Sequence, residues 1–74
     1  MKTVFERLYN SEINFDVSCF WDGGFDVMLG DEMNGFKAWT NVRTWAEVEP
    51  WLEAQALVHF PNSVFSLNRE VNND

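Results

Sequence analysis

Residues 12–36 read EINFDVSCFWDGGFDVMLGDEMNGF, and their alternation sets the architecture. From Ile13 the apolar residues Ile13, Phe15, Val17, Cys19 and Trp21 recur at every second position. That period belongs to a strand with one face buried. After Asp22-Gly23-Gly24 the odd positions Phe25, Val27 and Leu29 continue the pattern. If both odd sets share one face, the expected pairing is Trp21 with Phe25, Cys19 with Val27 and Val17 with Leu29. A two-residue loop would break that match. The expectation is therefore a three-residue loop with Gly24 in the left-handed conformation, which glycine adopts at least cost.

Asn34-Gly35 marks the next turn, and a third strand is expected over 36–41. With Phe36, Ala38 and Thr40 inward, Phe36 pairs with Leu29 and Ala38 with Val27. The outward rows become Phe20–Asp26–Trp39 and Ser18–Met28–Lys37.

Helices flank this meander. Residues 3–9, TVFERLY, put Val4, Phe5, Leu8 and Tyr9 at helical spacing, and Asn10-Ser11 stops them. So short a helix depends on the packing of Phe5 and Leu8, because its first turn fixes several dihedrals for one hydrogen bond. Thr44-Trp45-Ala46-Glu47 has the form of a capping box. The following helix, 45–59, gathers Trp45, Val48, Trp51, Leu52, Ala56, Val58 and His59 on one arc and Glu47, Glu49 and Glu53 on the other. Pro50 either kinks this helix or marks a proper start near Glu49 after one capped turn. Pro61 ends it. The expected fold class is α+β, in the order α-β-β-β-α. The 74 residues form one domain, with 68–74 a mobile tail.

A domain of this size buries only about 60% of the surface its unfolded chain exposes. Yet the chain has four Trp and seven Phe, an aromatic share of 16%, more ring area than a small interior needs. Some rings are therefore expected at the surface. The formal charge is −7, and Glu12, Asp16, Asp22, Asp26, Asp31 and Glu32 follow one another with no Lys or Arg between Arg7 and Lys37. That balance opposes direct contact with nucleic acid and favours a basic protein surface. The one cysteine, Cys19, excludes an internal disulfide and fits a reducing, cytoplasmic compartment. The N-terminal residues lack the pattern of a signal peptide, and no apolar run approaches the ~20 residues of a membrane span.

Catalytic chemistry has little to draw on. His59 and Cys19 are both expected at or near the buried side, so no enzyme is expected. Asp31, Glu32 and Asn34 are oxygen donors close together, but their spacing departs from the calcium-loop pattern. No metal and no cofactor is expected. The outward sheet face carries the candidate partner-binding residues: Asp16, Asp22, Asp26, Asp31 and Glu32 as charges, with Phe20 and Trp39 as apolar anchors. The same face offers a homodimer contact, unless Val64, Phe65 and Leu67 fold back over it.

The element order resembles that of the double-stranded-RNA-binding domain. Where that family carries basic residues, this chain reads TWAEVEPW over 44–51, with glutamates in place of lysines. The resemblance therefore implies topology and not RNA binding. In size, acidity and its carboxylate-lined hairpin, the chain also resembles small phage-encoded inhibitors, anti-CRISPR proteins among them. That likeness implies a non-enzymatic mimic of nucleic-acid charge, which blocks a nucleic-acid-binding protein by occupying its basic groove.

Overall fold

The computed structural model describes residues 2–67, so the expected tail over 68–74 lies outside the described residues. The fold is α+β. Helix α1 (Val4–Asn10) leads into strands β1 (Phe15–Phe20), β2 (Gly24–Asp31) and β3 (Gly35–Val42). A 3-10 turn (Trp45–Glu47), helix α2 (Val48–His59) and the short helix α3 (Val64–Leu67) follow. The strands form one antiparallel sheet in the order β1-β2-β3.

Each end of α1 is fixed by local chemistry. Thr3 Oγ1 accepts the Glu6 N–H at 3.1 Å, and Glu6 Oε1 accepts the Thr3 N–H at 3.2 Å. This capping box satisfies two amides that the helix leaves without acceptors. At the other end Ile13 N–H reaches Leu8 O at 3.0 Å and Glu12 N–H reaches Tyr9 O at 3.1 Å. These are the two bonds of a Schellman motif, and the accompanying apolar contact comes from Leu8 and Ile13, both buried. The left-handed position in that motif, φ 60°, is occupied by Glu12.

Pro50 does not kink α2. The 3-10 turn takes up residues 45–47 and α2 starts at Val48, so Pro50 is its third residue, within the turn whose amides lack intrahelical acceptors. The Glu47 carboxylate accepts from Thr44 N–H at 3.0 Å and from the Thr44 hydroxyl at 2.8 Å. Those bonds hold the Glu47 carboxyl below the usual glutamate range, the hydroxyl contributing most.

The helices pack on one side of the sheet only. Leu8, Ile13, Val27, Leu29, Val48, Leu52, Ala56 and Phe65 form the buried core. Phe15, Phe5 and Phe25 pack against it, and Trp45, expected on the buried arc but 52% exposed in the 3-10 turn, bridges Phe5 and Phe25 in a chain of rings with centroids 5.4–5.6 Å apart. Leu52 and Ala56 lie inside as their spacing predicts, but Val58 and His59 are exposed, and Leu57 packs in their stead. Glu49 and Glu53 do not face open water either. Glu49 accepts the Val4 N–H at 2.9 Å, and Glu53 pairs with Arg7 at 3.2 Å, so the acidic arc of α2 is where α1 docks. α3 packs against α1 and α2, with Phe65 buried beneath the Arg7 guanidinium at 4.3 Å. Residues 64–67 therefore do not fold over the outer sheet face.

Both strand registers differ from the expected ones by two residues. Val17 faces Val27, Phe15 faces Leu29 and Cys19 faces Phe25. Thr40 faces Val27 and Ala38 faces Leu29. A shift of two leaves the paired residues up to Leu29 and from Ala38 onward on their expected faces, so burial periodicity alone cannot tell the alternatives apart. Gly24 does hold φ 77°, with Phe20 as its partner and Trp21-Asp22-Gly23 as the loop. Trp21 thus belongs to the turn, not to the inward face, and is 94% exposed. Cys19, expected inside, is exposed too, because it sits near the hairpin end of an edge strand beyond the cover of the helices.

Candidate partner-binding site

The side of the sheet away from the helices carries the candidate residues. Its observed cross-strand rows are Ser18–Asp26–Asn41 and Asp16–Met28–Trp39. Trp39 therefore stands beside Met28 and Asp16, not beside Asp26. Phe20 ends β1 on the same face, paired with Gly24. Both rings are uncovered, Trp39 at 72% and Phe20 at 65% exposed. The outward placement of Phe20, Asp26, Met28 and Trp39 agrees with the alternation, while their neighbours differ from the expected rows.

One further ring joins them through a break in the ladder. Between Leu29 and Gly30 the β2–β3 register slips, so Leu29 faces Ala38 but Gly30 faces Phe36. Lys37 is the extra residue of this bulge. A bulge resets which face the following residues occupy, and Phe36 turns to the outer side instead of the core. Phe36 is 38% exposed and shares a hollow with Phe15, Asp16, Met28 and Glu32. Gly30 makes the crossing possible: at φ 106°, a Cβ there would lie 2.7 Å from Gly35 O and 3.1 Å from Lys37 N. Periodicity cannot reveal such a slip. The one sequence signal was Gly30 itself, ahead of a turn that already had its own glycine.

The five candidate carboxylates are not equivalent. Asp31 is held by three donors: Asn14 Nδ2 at 2.6 Å, Asn34 N–H at 2.7 Å and Asn34 Nδ2 at 3.2 Å. These bonds, that of Asn14 foremost, keep its carboxyl below the usual aspartate range. Asp26 accepts from Asn41 Nδ2 at 2.8 Å, and the same amide donates to Gly23 O at 2.8 Å, which ties the β1–β2 turn to β3. Among the described residues Asp16, Asp22 and Glu32 have no hydrogen-bond partner. Asp16 lies on the open face, Asp22 lies in the β1–β2 turn and Glu32 in the β2–β3 turn. The structure thus places the seven expected residues along one side and two opposite ends of the sheet. Asp16 and Trp39 share a row, whereas Asp22 and Glu32 lie at opposite ends.

Among the described residues no group of three His, Cys, Asp or Glu could hold a metal ion. No helix there is long and apolar enough to cross a membrane. No family model matches the chain, no curated protein is significantly similar to it, and no solved structure matches it.

Proposed function

We propose that this protein is a non-enzymatic binding domain whose outer sheet face docks on a basic protein surface. The observation that supports this most is the row Asp16–Met28–Trp39 with Phe20 and Phe36 on a face that no helix covers. Large rings exposed together are uncommon on a soluble monomer, and Trp is enriched among residues that dominate binding energy. The surrounding carboxylates and the formal charge of −7 select a cationic partner. A nucleic-acid-binding protein presents such a surface, so the reading extends to a phage-type inhibitor that competes with nucleic acid by charge mimicry in the cytoplasm. The second reading is an assembly protein that homodimerises through the same rings, with the acids serving solubility.

Affinity capture with the wild-type chain and with Trp39→Lys as baits tests the proposal. A partner should be retained by the wild type, lost by Trp39→Lys, and released by excess nucleic acid and by raised salt. Sedimentation over micromolar concentrations tests the alternative. A two-chain species that Trp39→Lys converts to monomer, with no partner displaced by nucleic acid, overturns the inhibitor reading.

A further inference from the structure

Where the bulge turns Phe36 outward, it leaves a hollow of about 480 Å³ with two kinds of wall. Met28 and Phe36 supply apolar surface, and Asp16, Asp31 and Glu32 stand around it. Gly30 also lines it, and its lack of a side chain lets β3 approach closely enough for the bulge to form. We propose that this hollow receives one arginine side chain of the protein partner, its stem on Met28 and Phe36 and its guanidinium between Asp16 and Glu32. The inference rests on the protein-binding reading above and names the contact that gives it specificity.

Charge complementarity and shape together choose the occupant. An anionic group is repelled by three carboxylates, and a neutral apolar side chain leaves them without a counterpart. A metal ion lacks a converging set of ligands. Lysine and arginine remain, and they differ in form. The ammonium is a compact, strongly hydrated charge, while the planar guanidinium lies flat on a ring and directs several donors to carboxylates at its edge. This fold already uses that combination internally: Arg7 lies 4.3 Å from the centroid of the Phe65 ring while its Nη1 donates to Glu53 at 3.2 Å. Among the described residues no arginine lines the hollow. Asp31 is committed to Asn14 and Asn34 and acts as a fixed negative charge, while Asp16 and Glu32 have no hydrogen-bond partner among the described residues.

Amide NMR of the full chain titrated with Nα-acetyl-arginine amide tests this, with the lysine and citrulline counterparts as controls. The expected result is a saturable shift confined to the amides of Asp16, Met28, Gly30 and Phe36. Citrulline, which is neutral but similar in shape, should produce none, and lysine should bind at least about fivefold more weakly. Phe36→Ala should weaken the arginine response by a similar factor. Should that variant fail to fold, the double substitution Asp16→Asn, Glu32→Gln carries the test, since neither side chain has a hydrogen-bond partner to lose among the described residues. Equal responses to arginine and lysine, or shifts spread to the Asp22 turn at the far end of the sheet, overturn the proposal. That outcome leaves the broader reading intact, which falls instead if Trp39→Lys retains its partner.

Discussion

Replacing Glu12 by glycine should stabilise the domain, although the change removes a side chain and adds nothing. Glu12 holds φ 60°, a conformation that costs a residue with a Cβ roughly 1–2 kcal/mol. It stays there because the Schellman bonds of α1 and the burial of Ile13 at 7% exposure leave the chain no other path into β1. Its carboxylate has no hydrogen-bond partner among the described residues and lies just past a helix C-terminus, where the exposed carbonyls disfavour negative charge. Glycine removes the strain but makes the unfolded chain more flexible, which takes back about 0.4–1 kcal/mol. The net gain should be about 0.5–1 kcal/mol, or a rise of roughly 2–8 °C in Tm for a domain of this length. Urea melts followed by Trp fluorescence and far-UV dichroism measure it, with Glu12→Ala as the control for lost charge. Alanine keeps the positive φ penalty, so it should fall short of glycine by most of the gain. Equal stability of the two variants refutes the reasoning, because it means that the conformation of residue 12 carries no strain.

Three further outcomes follow from the packing. Leu52→Ala should cost about 2–5 kcal/mol in a denaturant melt, whereas Trp21→Ala should stay within about 0.5 kcal/mol, since one side chain is fully buried and the other is 94% exposed. Gly30→Ala should cost at least about 2 kcal/mol, because the added carbon meets backbone atoms on β3, and a thermal melt beside that of Gly23→Ala checks it. The Asp31 carboxyl should titrate below the usual aspartate range by carbon NMR, and Asn14→Ala should raise it by removing the strongest contributor. As the folded value is depressed, the stabilisation is complete above the unfolded value and is lost as pH falls through the folded one, a window below about pH 4.

The alternation over residues 13–29 carried the face of each strand residue, because side-chain direction has a strict period of two. Register was not legible for the same reason: pairing Val17 with Val27 or with Leu29 buries the same residues. Only the turn decides between them, and Gly24 takes its positive φ in either arrangement. The inward expectation for Phe36 failed where an extra residue, Lys37, interrupts the period. For α2 the apolar arc identified Val48, Leu52 and Ala56 correctly, but periodicity says nothing of what covers the other arc. Glu49 and Glu53 look like solvent residues in the sequence and are bonded to α1 in the fold. The candidate site was legible in its two exposed rings, Phe20 and Trp39, and illegible in its third.

The charge of the sheet raises one last physical question, whether carboxylates that hold the fold together remain available to a partner. The answer lies in what they are bonded to. Asp26 and Asp31 take their hydrogen bonds from Asn41, Asn14 and Asn34, which are neutral amides. Among the described residues the one ion pair is Arg7–Glu53, on the helix side. An amide donor fixes a carboxylate in place and removes none of its charge. The asparagines therefore hold the Asp26 and Asp31 charges at set positions on the sheet, with their side-chain entropy already lost in the free protein. A cationic partner of the kind proposed would not have to order Asp26 and Asp31, which would lower the cost of association. Asp16, Asp22 and Glu32, without such donors, can adjust to the partner's own side chains. On the proposed function, the fixed charges would set where a cation is drawn, and Asp16 and Glu32, near Trp39 and Phe36, would complete its contacts.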